Sequence, residues 1–200
     1  MNKAEVQNTN LWWIKKKKYL CKEIQNTLMK NPLIHVALRY GSVASLLLMV
    51  LFMVMFYLGK HPMSIPLFFD IRLLILPIFM VIGMKDFRDN LQSGNLHFWQ
   101  GFSIGFIIFL TISFFMAFFI IVFVWADGSF LDSYIAERVQ LLTQFRSHLA
   151  ETIGDETIQL QLEKLPLTTS FDLAIDYFSK TLVIGLFLNI IISIILRKTT

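Results

Sequence analysis

Charge is scarce in this sequence: Asp, Glu, Lys and Arg make up only 16% of its 200 residues, against about a quarter in a soluble domain. With 56% hydrophobic residues beside it, that scarcity excludes a disordered chain and a soluble one-domain enzyme. Cysteine is scarcer still. Cys21 stands alone, so no internal disulfide can form and nothing follows about redox compartment. The histidines His35, His61, His97 and His148 fall in four different segments without His-x-x-x-His or His/Cys spacing, which removes the usual zinc patterns. Gly-x-Ser-x-Gly, P-loop and EF-hand signatures are missing, as is any residue set able to activate a nucleophile. The expectation is therefore no enzyme, no catalytic residue, no metal and no cofactor. Internal repeats and low-complexity segments are absent too.

What is present is long apolar sequence. Mean hydropathy is +0.62, and twenty Phe raise the aromatic share to 14%. Four stretches stand out: Tyr40 to Leu58, a shorter one after Arg72, Gly101 to Trp125, and Thr181 to Leu196. Asn31-Pro32 reads as an N-cap with Pro at the first helical position, and Gly59 closes the far end. The second stretch has only 12 uncharged residues between Arg72 and Lys85, so to span it must start near Pro66 and carry Asp70 and Arg72 inward.

Charge parity decides the count. With four crossings, 12 of the 18 Lys/Arg share one side: eight up to Arg39, then Lys85, Arg88, Arg197 and Lys198. The other side holds six Lys/Arg against ten Asp/Glu, a positive-inside pattern with both termini cytoplasmic. The predicted fold is an all-α membrane protein of four transmembrane helices, with a small helical cap between helices three and four. The predicted segments are a leader over 1–31, spans over 32–59, 66–91, 98–126 and 170–198, and a helical loop over 127–169. The long polar leader without an Ala-x-Ala site predicts that the first helix is a retained anchor.

Within the loop, Ser129 with Asp132 and Thr169 with Asp172 read as capping boxes. The first would open a helix through Leu131, Ile135, Leu142, Phe145 and Leu149, punctuated by Gly154-Asp155 and Pro166. In the leader, Trp12 and Trp13 precede Lys15, Lys16, Lys17 and Lys18. That pattern suits a membrane surface with anionic headgroups, or docking of a membrane-associated protein partner. It leaves nucleic acid without a role, because basic residues beside a membrane helix already have one.

Three further groups are candidate sites. Asp70 and Arg72 are ionisable groups in a span; at i,i+2 they do not face one another on a helix, so each needs another partner or the interface. Pro77 predicts a kink in the same helix. Small residues recur every four positions at Ala37, Gly41 and Ser45, at Gly101 and Gly105, and at Thr181, Gly185, Asn189 and Ser193, which predicts close helix packing with Asn189 bonding across it. Packing within the chain is favoured over contact with another chain. Asp127, Asp132, Asp172 and Asp176 read as a solvated acidic face rather than a cation site.

The order of short motifs is familiar: Arg39-Tyr40-Gly41, Phe87-Arg88-Asp89, Ser93-Gly94-Asn95, Phe98-x-x-Gly101-x-x-x-Gly105, a long acidic loop, and a closing Leu196-Arg197-Lys198. It resembles the bacterial inner-membrane family called domain of unknown function 4199, found mostly in Bacteroidota, over roughly Ile34 to Lys198. The Trp-Trp-tetralysine leader is outside the likeness, and Asn95-Leu96-His97 is less glycine-rich than the family pattern. The resemblance implies four membrane helices and no established activity, in the neighbourhood of polyprenyl-phosphate sugar metabolism. The functional expectation is a non-catalytic accessory or scaffold subunit of an inner-membrane complex. The alternative is a carrier or flippase for a lipid-linked or amphipathic substrate, motivated by Asp70, Arg72, Pro77 and Asn189.

Overall fold

A computed structural model describes residues 31–59, 61–64 and 70–198. The leader with Trp12, Trp13 and Lys15 to Lys18, and the predicted span start at Pro66, lie outside them. Most of the described residues are helical, and no strand occurs among them. Helix α1 is Pro32–Tyr57, α2 is Arg72–Leu91, α3 is Phe98–Ala126, α4 is Ser129–Gln144, α5 is Arg146–Ile153, α6 is Asp155–Lys164, and α7 is Ser170–Leu196 after a 3-10 turn at Leu165–Leu167.

Local chemistry explains most of the ends. Asn31 is extended at φ −93° with Pro32 behind it, and Gly59 turns the chain at φ +77°, a conformation that glycine adopts at no steric cost. After α2, Ser93 and Gly94 take φ +50° and +88°, and the Gly94 N–H caps the Arg88 carbonyl at 2.9 Å. Thr169 and Asp172 form the predicted capping box. At α3 the sequence offered no obvious cap, yet Gln100 Oε1 accepts the His97 N–H at 3.1 Å.

Three expectations change. Helix α2 begins at Arg72 rather than near Pro66, because Asp70 Oδ1 accepts the Arg72 N–H at 2.9 Å and starts the helix as an Asx turn. Ser129 and Asp132 do not form a box. Instead Asp127 Oδ1 accepts both the Ser129 N–H, at 3.1 Å, and its hydroxyl, at 2.6 Å. The helix drawn through Leu149 is broken at Phe145, whose φ of −102° and ψ of 18° separate α4 from α5.

Helix α3 lies at the centre, packed between α1 and α7, while α2 touches all three. Leu48, Leu76, Met80, Met84, Ile104, Ile108, Ile112 and Met116 are completely or almost completely buried between them. At one end, Leu96 and Lys198 exchange backbone hydrogen bonds at 2.7 and 3.0 Å, fastening the α2–α3 turn to the residues after α7. At the other end sits the insert α4–α6, anchored by fully buried Phe130. Arg146 holds Asp155 through two bonds of 2.8 Å, closing the α5–α6 corner at Gly154.

The outside of the bundle is apolar. Val43, Leu46 and Val50 on α1, Phe114 and Phe118 on α3, and Phe187, Ile191 and Ile195 on α7 are all exposed. Helices α1, α3 and α7 are each long and apolar enough to cross a membrane. Trp99 and Trp125, 73% and 88% exposed, stand about 39 Å apart along α3 at roughly 1.5 Å per residue. That separation matches the two interfaces of a bilayer, where Trp is enriched.

Candidate functional site

The site builds on Arg72 at the first turn of α2. Its Nε donates to Asp70 Oδ2 at 2.6 Å, Nη2 pairs with the same oxygen, and both side chains are 8% exposed. Nη1 donates to Thr181 Oγ1 on α7 at 3.0 Å, with a longer 3.4 Å contact to the Tyr177 carbonyl. The guanidinium lies over the Tyr177 ring, 4.2 Å from its centroid, a cation–π arrangement strengthened by desolvation. The expectation that Asp70 and Arg72 face apart is thus overturned: it assumed both on one helix, and Asp70 lies before the helix, free to fold back on it. The pair pins α2 to α7.

Beside Asp70 is a small cavity lined by Leu48, Phe52, Met55, Pro62, Ile71 and Tyr177, with about 20 Å³ of room. That is space for one water, which needs about 10–15 Å³, and nothing larger. The polar chemistry available here is structural: a carboxylate with both oxygens engaged, a guanidinium neutralised on the spot, and one solvent-sized void.

A second buried polar group lies nearby. His61, 4% exposed, accepts the Met63 N–H at Nδ1, 3.3 Å away, and its Nε2 meets the Phe130 carbonyl at 3.2 Å. An acceptor at Nδ1 and a donor at Nε2 define a neutral ring. Phe56, Phe130 and Tyr134 surround it, with ring centroids 4.3–6.1 Å away. His61 therefore ties the segment after α1 to the first turn of α4, and its burial pushes the imidazole pKa down to about 4. The unfolded chain takes up this proton near pH 6.5, whereas the folded chain resists until about 4. Stability contributed by the neutral ring is thus complete above pH 6.5 and is lost as pH falls toward 4, by about 3 kcal/mol at most. Unfolding measured in detergent from pH 7.5 to 4.5 shows this slope in the native chain, and His61→Gln loses it.

The small-residue stripes all face neighbouring helices. A Cβ on Gly41 would come 2.9 Å from Thr111 Cβ, and one on Gly185 2.6 Å from Phe109 Cγ. On Gly105 it would overlap the Asn189 amide, whose Nδ2 donates to the Phe102 carbonyl at 2.9 Å. Ala37, Ser45, Thr181 and Ser193 are buried beside them. Gly101 differs, since a Cβ there would find ordinary contact at 3.5 Å. The sequence reading missed Gly83, where a Cβ would come 2.8 Å from Ile108 Cδ1. Gly101→Ala is expected to leave stability within about 0.5 kcal/mol, whereas Gly185→Ala lowers it by about 1–3 kcal/mol through overpacking, because the atoms it meets, Phe109 Cγ and Cβ at 2.6 and 2.9 Å, are fixed close to the backbone; unfolding in detergent reads both.

The acidic residues do not converge. Asp172 caps α7 through Thr169, Asp127 holds Ser129, and Asp176 pairs with Lys180 at 2.5 Å. Among the described residues no three His, Cys, Asp or Glu side chains come together as metal ligands. Sequence reasoning also missed Tyr177 and His61. Tyr177 carried one available signal, its i,i+4 relation to Thr181 on the face that receives Arg72.

An apolar helical girdle around a core that encloses its own polar groups defines this as a helical membrane protein. More particularly, the chain belongs to the family described as "Protein of unknown function (DUF4199)", which matches residues 39–198. The match takes in nearly all of the bundle and the insert and leaves out the leader. No curated protein and no solved structure matches the chain.

Proposed function

We propose that the protein is a non-catalytic accessory or scaffold subunit of a protein complex in a bacterial inner membrane, with four crossings and both termini cytoplasmic. The supporting observation is that polar groups in the bundle are engaged with one another. Arg72 is held by Asp70 and Thr181, Asn189 by the Phe102 carbonyl, and Thr111 and Ser113 by the Ile107 and Phe109 carbonyls of their own helix. A carrier needs polar groups that exchange partners with a substrate, and an enzyme needs a reactive group open to one. The Asp70 cavity admits about one water.

Helix α2 is the fourth crossing on this reading. Its apolar centre, Leu73 to Met84, measures only about 18 Å, but Leu74, Ile78 and Ile82 face outward in line with the girdle. Its Arg72 is neutralised at the level of Thr181, which reduces the cost of depth. Arg39, Lys85, Arg88, Arg197 and Lys198 then gather near the end fastened by the Leu96–Lys198 bridge, and the acid-rich insert lies opposite. With Cys21 replaced by Ser, Asn90→Cys, exposed at the end of α2, should react with a membrane-impermeant maleimide only from the cytoplasmic side, and Glu156→Cys, exposed on α6, only from outside. Reaction of both from one side overturns the four-crossing arrangement.

The docking element is the leader, through Trp12, Trp13 and Lys15 to Lys18, with anionic headgroups and a membrane-associated protein as its partners. Tagged protein purified from its native membrane in mild detergent should carry a stoichiometric protein partner, by mass spectrometry. Replacing Trp12 and Trp13 by Ala should release it. Arrival alone with one specific polyprenyl-linked lipid or glycolipid would replace this reading with that of a carrier.

A further inference from the structure

The stretch from the insert into the outer end of α7 is acid-rich: Asp127 to Lys180 contains nine Asp/Glu and four Lys/Arg. Two of its four bases are neutralised, Arg146 by Asp155 and Lys180 by Asp176. The other two, Arg138 on α4 and Lys164 at the end of α6, pair with no carboxylate among the described residues. Both unpaired bases line the same cavity, together with Gln161, Thr168 and an apolar floor of Leu142 and Leu165.

Arg138 is also incompletely bonded. Its side chain lies beside Tyr134, one turn earlier on α4, and its Nε–H is buried without an acceptor. Buried donors of a charged group are rarely left unmade, and a cationic fork is suited to two oxygens at once. The cavity has about 270 Å³ of room and opens to the surface. That is slightly under the range of about 300–1,000 Å³ usual for drug-sized ligands, and ample for a tetrahedral oxyanion.

We propose that this cavity is an anion site for a phosphate group, with Arg138 and Lys164 supplying charge and Gln161 and Thr168 supplying donors. The ligand chemistry is that of an inorganic phosphate or of the phosphodiester of a lipid headgroup. The site is separate from the Asp70–Arg72 pair and stands whether or not the accessory reading does.

The test uses the full chain. In detergent, inorganic phosphate is titrated against the native protein at constant ionic strength, and binding is read as a rise in unfolding temperature. In parallel, nanodiscs of phosphatidylglycerol and of phosphatidylcholine are compared by the same readout. The variants are Arg138→Gln and Lys164→Gln, with Lys180→Gln as a control that removes an equal charge outside the cavity. Lys164 is exposed, so its replacement leaves folding intact even if that of Arg138 does not. Each cavity variant is expected to weaken the phosphate response at least ten-fold, the loss of one charge-assisted hydrogen bond, with the control unchanged; that outcome identifies a soluble oxyanion. A response to phosphatidylglycerol alone, lost in the same two variants, identifies a headgroup. No response to either probe, or equal responses in native protein and variants, overturns the site.

Discussion

Replacing Arg72 by methionine is expected to lower stability by about 3–5 kcal/mol, the cost of leaving one member of a buried ion pair uncompensated. Asp70 would be left without its partner in a pocket where both are only 8% exposed, and Thr181 and Tyr177 would lose the donor that reaches them from α2. Asp70→Leu strands Arg72 in the same way. The double variant Asp70→Leu/Arg72→Met should recover most of the loss, because removing both charges removes their desolvation cost as well. Unfolding of all four proteins in mixed micelles measures the coupling. If the double variant falls by the sum of the singles, the two residues do not act as a pair. The same series bears on function. A folded double variant that retains its protein partner supports a structural role for the pair, whereas one that folds and loses transport of a lipid-linked substrate supports the carrier.

The second large effect is at the α3–α7 contact. Gly105→Leu is expected to cost at least about 3 kcal/mol, at the upper end for overpacking. Even a single methyl would overlap Asn189 and press on Met84, and α7 would also lose the bond from Asn189 to the Phe102 carbonyl, worth about 1 kcal/mol between membrane helices. Gly105→Ala with Asn189→Ala should be more stable than Gly105→Ala alone, since the second change empties the space the methyl needs. Failure of that rescue, read by the same unfolding measurement, would mean that the helices are held apart by something other than this pair.

Much of the frame was legible because it depends on local order. The Asn31-Pro32 start, the Ser93-Gly94 turn and the Thr169–Asp172 box each act within one turn of chain. Recognising the second box, at Ser129, failed for a reason of the same scale: Asp127, two residues upstream, offers a carboxylate to the same N–H and takes it first. The break at Phe145 carried no proline or glycine to announce it. Helix α2 shows the limit of hydropathy, since its 12 uncharged residues say nothing about whether Arg72 is neutralised.

By itself, then, the sequence determined that the chain is helical, that its surplus of apolar side chains belongs against lipid, and where most helices start and stop. Those properties follow from composition and from interactions between residues a few positions apart. Tertiary structure alone decided that Arg72 meets Thr181, 109 positions away, that Asn189 reaches Phe102, 87 positions away, and that His61 bonds Phe130, 69 positions away. It also brought Arg138 and Lys164 to one cavity. No periodicity marks a partner on another helix; these pairings form because a polar group removed from water must find its complement wherever packing has brought one within reach.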